Sequence, residues 1–256
     1  MKMECFSLWG ENSNNDVTLE YYPPIQKSTD VAVVVFPGGA YRARADHEGE
    51  GYARLLNTYG ITAFVVNYRV FPNYFPAPLL DARRAMRFVR FNAEKFGINK
   101  NKVLAMGSSA GGHLTALLST YCEDIAEKKD DLYKEAYLPN GQILCYPVIS
   151  SDESISHKSS FEGLLGDLYG KRAEYSPDLL VNQTTPPAFL WHTAEDGGVS
   201  CINSYRYAEA LTKQKIPVEL HIFPYGGHGL GLAPNFPHVA QWTTLLRNWI
   251  KKYYES

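Results

Sequence analysis

The sequence predicts an α/β fold: a mostly parallel central sheet with helices on both faces. Short apolar, β-branched runs recur along the chain, helix-length segments separate them, and 256 residues suffice for one large α/β domain. Apolar residues make up 45% of the chain and charged residues 20%, the balance of an ordinary folded protein. A single domain over residues 1–256 is expected, since no repeat, low-complexity stretch or Pro/Gly/Ser-rich linker divides the chain.

The elements follow in order. Val17 to Tyr22 alternates and predicts an antiparallel edge strand. Val31 to Phe36 is a continuous apolar run that ends at Pro37-Gly38-Gly39, as a central strand buried on both faces would before a tight turn. Runs of the same type at Ile61 to Asn67, Val103 to Met106, Ile143 to Tyr146, Ala188 to His192 and Val218 to Phe223 supply the other strands.

Between them, Pro78 to Phe96 carries Leu79, Ala82, Met86, Val89 and Ala93 at helical spacing, and Gly97 is its stop signal. Ser109 to Cys122, Asn203 to Gln214 and Val239 to Tyr253 are further helices, the last with an apolar stripe of Trp242, Leu245, Leu246, Trp249 and Ile250. Residues 151–185 break this rhythm, being rich in Ser, Asp and Gly with short apolar patches such as Leu164-Leu165. A small cap over the site is expected there.

Net charge is −2 with the two signs interspersed, so neither nucleic acid nor an anionic membrane is an expected partner, and a neutral small molecule is. Met1 to Asn15 holds no apolar stretch long enough for a signal peptide, and no later segment approaches a membrane span, which predicts a cytoplasmic protein. Cys5, Cys122, Cys145 and Cys201 lack the close pairing of zinc or redox motifs and read as reduced, structural thiols.

The chemistry concentrates at Gly107-Ser108-Ser109-Ala110-Gly111, a Gly-x-Ser-x-Gly sequence placed directly between a predicted strand and a predicted helix. There a strained turn exposes the middle serine, and flanking glycines permit it because a Cβ would clash. A serine hydroxyl is a poor nucleophile until a base takes its proton, and an imidazole is suited to that task. Of seven histidines, His228 stands out: Gly226-Gly227-His228-Gly229 follows the last predicted strand and holds the ring on a loop beyond its C-terminal end.

His192 and His221 lie inside predicted strands and are expected to be buried and hydrogen-bonded, His47, His157 and His238 to be solvated, and His113 to be structural. The base needs an acid to fix its tautomer; Asp196, just past the strand Ala188 to His192, is the candidate, with Glu195 its rival. Ser109, Asp196 and His228 occur in the order nucleophile, acid, base. The N–H of Ala110 and those of the Gly38-Gly39-Ala40 turn are the candidate oxyanion donors. Tyr41, Arg42, Arg44 and His47 are expected at the substrate entrance.

Five stretches carry a resemblance: Phe36-Pro37-Gly38-Gly39-Ala40-Tyr41, Asn67-Tyr68-Arg69, Phe75-Pro76-Ala77-Pro78-Leu79, Met106 to Leu114 around Ser109, and Phe223 to Gly229 around His228. Through them most of the chain resembles the esterase/lipase branch of the α/β-hydrolases, and within it the acetyl esterases and acetyl-xylan or feruloyl esterases that act on sugar esters. The resemblance implies a triad of Ser109, Asp196 and His228, oxyanion donors at Gly39, Ala40 and Ala110, and two-step acyl transfer without metal or organic cofactor.

Two stretches depart from the family. The His-Gly-Gly-Gly turn of many lipases reads Pro37-Gly38-Gly39-Ala40, and the Val-Pro that often follows the acid reads Val199-Ser200. The first departure suits the sugar-esterase group.

The reading is a serine esterase that removes short acyl groups, chiefly acetyl, from sugar or small alcohol esters. An amidase, formamidase or peptidase would use the same triad, because fold does not fix function. A binding protein on this fold would be expected to lack the serine or the histidine, and both are present. Ser at position 109 excludes a cysteine nucleophile, and Pro37 to Tyr41 lacks the Gly-x-Gly-x-x-Gly of a dehydrogenase.

Overall fold

The computed structural model describes residues 4–10 and 17–255; residues 1–3 and 11–16, which belong to the N-terminal segment read above for a signal peptide, lie outside them, as does residue 256. The strands are β1 (Glu4–Ser7), β2 (Thr18–Tyr22), β3 (Ala32–Phe36), β4 (Thr62–Asn67), β5 (Val103–Ser108), β6 (Gln142–Cys145), β7 (Ala188–Thr193) and β8 (Val218–Phe223). They form one sheet in the order β1-β2-β4-β3-β5-β6-β7-β8. From β4 to β8 every pairing is parallel, and β1 and β2 join antiparallel at one side.

The helices are α1 (Asp46–Thr58), α2 (Ala77–Phe91), α3 (Ala93–Phe96), α4 (Ser109–Thr120), α5 (Lys158–Leu165), α6 (Pro177–Leu180), α7 (Ile202–Lys213), α8 (Pro237–Ala240) and α9 (Trp242–Tyr254). The two-residue period of the strands explains why they lie on both faces of the sheet. In β3, Ala32, Val34 and Phe36 belong to one cluster with Leu79 and Met86 of α2 and Leu114 and Leu117 of α4. Val33 and Val35 belong to the other, with Tyr52 and Leu56 of α1 and Trp242 and Trp249 of α9. Each fully buried Val, Leu, Met or Phe side chain among them contributes about 1.5–3 kcal/mol against exposure.

Several boundaries differ from the sequence reading. β2 is not an edge strand, because β1 pairs along its outer side from Glu4↔Tyr21 to Ser7↔Thr18. The outer strand has four residues, exposed except for half-buried Phe6, so it offers no apolar pattern to detect. Phe6 docks instead on Phe88 and Phe96, with ring centroids 5.4 and 5.8 Å away.

The helix expected over Pro78 to Phe96 breaks at Asn92, whose side chain donates to the Phe88 carbonyl; α3 then ends at Gly97, φ 62°. Gln241 divides the C-terminal helix similarly into α8 and α9. Residues 151–185 contain α5, an irregular 3-10 stretch from Gly166 to Tyr175, and α6. Leu164 and Leu165 are buried in the cluster that includes Tyr41, so this segment packs against the turn that follows β3.

Candidate active site

The C-terminal ends of β3, β5, β7 and β8 face one edge of the sheet, where open α/β folds place their sites. β5 runs into α4 through Ser109, which has φ 51°, a left-handed conformation costing about 1–3 kcal/mol in a non-glycine residue. The flanking glycines make the turn possible. A Cβ on Gly107 would lie 2.1 Å from the Gly111 carbonyl oxygen, and one on Gly111 would lie 2.0 Å from that of Phe36. The serine is thereby lifted above the sheet, with 7% of its surface exposed.

His228 Nε2 lies 2.8 Å from Ser109 Oγ, and His228 Nδ1 lies 2.7 Å from Asp196 Oδ2. An ionised carboxylate only accepts, so Nδ1 carries the proton and Nε2 is left to accept from the serine. Burial alone would raise the Asp196 carboxyl, but hydrogen bonds from His192, His228 and the Val199 N–H outweigh it and hold the group below the usual carboxylate range. Its Oδ1 accepts from the N–H groups of Gly198 (2.9 Å) and Val199 (2.8 Å). Glu195, the rival acid, is exposed and instead accepts from the Gly226 N–H at 3.3 Å.

His192 is buried and hydrogen-bonded, as its place in a strand predicts, and it also serves this carboxylate. Its Nε2 faces both Asp196 Oδ2 (3.1 Å) and the Val199 carbonyl (2.9 Å), so that nitrogen donates, while Nδ1 lies 2.8 Å from Ser204 Oγ. The i,i+4 spacing from Asp196 was the available signal.

After β3 the chain turns through Gly39 (φ 130°), Ala40 (55°) and Tyr41 (55°). Arg42 and Ala43 donate to the Gly39 carbonyl, and Ala45 donates to that of Gly38, which closes the turn. The N–H of Gly38 is committed to Glu48 Oε2 at 2.8 Å, so Gly39 and Ala40 are the donors this turn can offer. Ala110 is the second residue of α4, and its N–H precedes the helix's own hydrogen-bond ladder.

The entrance expectation needs correcting at Tyr41. Its side chain is fully buried and its hydroxyl lies 2.8 Å from His113 Nδ1, because two consecutive left-handed residues turn it inward. Tyr41 therefore braces the turn from below. Arg42, Arg44 and His47 are exposed: Arg42 lies over the Phe71 ring and 3.9 Å from Glu162, Arg44 donates to the Tyr68 carbonyl, and His47 Nε2 meets the Gly229 carbonyl at 3.0 Å.

Two other histidines differ from expectation. His157 is half-buried at the start of α5, and burial together with nearby His228 pushes its imidazole down. His221 is half-exposed on β8, where its Nε2 pairs with Glu219 at 2.8 Å. His238 is exposed, edge-on to Phe223. All four cysteines are free thiols; Cys145 is buried and its thiol is pushed up to about 12, while Cys5 and Cys122 are exposed.

His113 is structural in an exacting way. Burial pushes its imidazole down to about 4, partly offset by its bond to the Tyr175 carbonyl. An unfolded histidine titrates near ~6.5, so as the pH falls from there toward the folded value, the unfolded chain binds a proton that the folded chain refuses. Stability is expected to drop over that window by up to roughly 3 kcal/mol from this group. Urea midpoints measured from about pH 7.5 to about pH 4.5 should fall more steeply for the wild type than for His113→Gln. Parallel curves would contradict the assignment.

Among the described residues no group of three or more His, Cys, Asp or Glu side chains is arranged to hold a metal ion, and no helix is long and apolar enough to cross a membrane. A groove of about 900 Å³ lies beside the start of β4, between Tyr21, Tyr22, Arg54, Tyr59 and Arg247. It shares no residue with the Ser109 site.

Comparison with known proteins agrees with the fold and with the ester chemistry. A model of the BD-FAE family matches residues 19–211. The chain is 40% identical to an acetyl ester-xyloside bifunctional hydrolase from Caldicellulosiruptor lactoaceticus, whose crystal structure superposes with a TM-score of 0.87 over 97% of this chain and 96% of that one. It is 36% identical over 227 residues to an acetylxylan esterase of Xylanibacter ruminicola, and 35% identical over 240 residues to endo-1,4-beta-xylanase B of Butyrivibrio fibrisolvens. Those alignments take in 86% and 89% of this chain but 45% and 38% of the two relatives, so it spans less than half the length of either.

Proposed function

This chain belongs to the BD-FAE family of α/β-hydrolases, and from that premise we propose that it is a serine carboxylic-ester hydrolase removing short acyl groups, chiefly acetyl, from sugar or small alcohol esters. The observation that carries the reading is the unbroken line of hydrogen bonds from Ser109 Oγ through His228 to Asp196. The acetyl and sugar parts are supported by the similarity to the acetyl ester-xyloside hydrolase and the acetylxylan esterase.

In the proposed mechanism Ser109 Oγ attacks the ester carbonyl as His228 Nε2 takes its proton. The tetrahedral oxyanion is held by the N–H groups of Gly39, Ala40 and Ala110, each such donor being worth about 3–4 kcal/mol in the barrier. His228 then protonates the leaving alcohol, and the acyl group stays on Ser109. Water enters, His228 takes its proton, and the second tetrahedral intermediate collapses to the free acid and the serine hydroxyl. Asp196 remains ionised throughout and holds the Nδ1–H tautomer. Residues 151–185, packed through Leu164 and Gly163 on the oxyanion turn, serve in this reading as a small cap over the site.

The test is acetate release from acetylated xylose and from p-nitrophenyl acetate, with Ser109→Ala as the blank. Activity on both, lost in the variant, is expected. Activity on the aryl ester alone would remove the sugar assignment, and inactivity on both would turn attention to amide substrates or to a binding role.

A further inference from the structure

α1 brings a carboxylate to the back of the site, and among the described residues no lysine or arginine is paired to it. Glu48 is 3% exposed, and the His47 ring nitrogen Nε2 lies 3.8 Å from its Oε1. A buried carboxylate is costly unless its oxygens are hydrogen-bonded, and an apolar side chain would fill the same space without that cost. What the carboxylate accepts is therefore informative.

Its Oε2 accepts from the Gly38 N–H at 2.8 Å, and its Oε1 from the Tyr146 hydroxyl at 2.7 Å. Tyr146 Oη in turn accepts from the Gly231 N–H at 3.0 Å and lies 3.0 Å from Tyr52 Oη, which accepts from Ser108 Oγ at 2.8 Å. The donors run in one direction: Ser108 to Tyr52, Tyr52 to Tyr146, Tyr146 to Glu48. One carboxylate thus ends a chain that touches three walls of the site: the turn after β3, the residue before the nucleophile, and the loop just beyond His228.

The fit is tight at each contact. A Cβ on Gly38 would stand 2.5 Å from Glu48 Oε2 and 2.8 Å from the Ser108 carbonyl oxygen, so position 38 must be glycine for the carboxylate to reach the amide. Tyr146 has φ 37° at the end of β6, and its ring meets His228 edge-on with centroids 5.2 Å apart.

We propose that Glu48 is a positioning residue for ester hydrolysis, its carboxylate fixing the Gly38 amide and, through Tyr146, the loop behind His228, so that oxyanion donors and general base share one frame. The inference rests on the esterase reading above. Glutamine is the discriminating replacement. It presents one acceptor and one donor to two donors, so with its oxygen on the Gly38 N–H its NH₂ faces a Tyr146 oxygen that already accepts from Gly231.

The experiment compares wild type, Glu48→Gln, Tyr146→Phe and the double variant on p-nitrophenyl acetate, alongside inhibition by an aryl trifluoromethyl ketone, which forms a tetrahedral oxyanion on serine. For folded Glu48→Gln, kcat should fall by roughly 10- to 100-fold with KM within about twofold, and the ketone's Ki should rise by the same factor as kcat/KM falls. Tyr146→Phe should shift both in parallel by a smaller factor, and the double variant should lose less than the product of the two single effects, since one hydrogen bond is shared.

A Glu48→Gln enzyme that melts earlier but keeps wild-type kcat and Ki would overturn the proposal and leave the esterase reading standing. If Glu48→Gln does not fold, unchanged kcat and Ki in Tyr146→Phe would overturn it. An inactive wild type would overturn both.

Discussion

Ser109→Ala is expected to lower kcat on p-nitrophenyl acetate by roughly 10⁶-fold while leaving the protein folded. The substitution removes only Oγ: alanine has the same Cβ at φ 51°, so the strained turn and its glycine contacts are unchanged. His228 loses a hydrogen-bond partner, but 27% of its side chain is exposed to water that can replace it, which limits the stability change to about 1 kcal/mol or less. The residual rate comes from the oxyanion donors and from water activated by His228. A loss below about 100-fold, measured with the thermal midpoint unchanged, would mean that Ser109 is not the nucleophile.

Asp196→Asn should cost kcat about 10⁴-fold. The amide that replaces the carboxylate carries an NH₂, and four donors converge on this group: the rings of His192 and His228 and the N–H groups of Gly198 and Val199. With its oxygen held by the two fixed backbone amides, its NH₂ points at the histidines. His228 Nδ1 must then accept, its proton moves to Nε2, and the ring can no longer take the proton of Ser109. Glu195→Gln, one residue earlier, should change kcat by less than about threefold, because among the described residues its carboxylate is hydrogen-bonded only to the Gly226 amide, at 3.3 Å. The reverse ranking of the two variants, measured on the same ester, would make Glu195 the acid.

These contrasts mark what can be read from residues and what needs the fold. β3 and β5 are legible because every residue in them is buried, so unbroken apolar runs are enough. The serine and histidine are legible because glycines crowd both turns and each turn follows a strand. The choice between Glu195 and Asp196 was not legible in that way: it depends on the chain turning back at Gly198 and Val199 and on a histidine one strand-end away. Sequence also misplaced Tyr41, since an aromatic residue after two glycines carries no mark of its left-handed backbone, and the sign of φ decides which way the ring points.

Glu48 is illegible in the sequence for a related reason. An acidic residue in the first turn of a helix is ordinarily a solvated group favoured by the helix dipole. Here α1 lies under the turn after β3, and the same residue becomes a buried acceptor. Its partner Tyr146, and Gly231 that donates to Tyr146, are far from it in sequence, so no local pattern joins them. His157 similarly reads as a polar loop residue, and only the packing of α5 brings it near His228.

The central claim is that Ser109, activated by His228, becomes covalently acylated. Reaction with a fluorophosphonate, followed by peptide mapping in a mass spectrometer, tests it most directly. The account predicts one label per chain, on Ser109, accumulating in step with loss of esterase activity and absent from His228→Ala over the same interval. Labelling of Ser108 or another serine, or full inactivation with Ser109 unmodified, would contradict it.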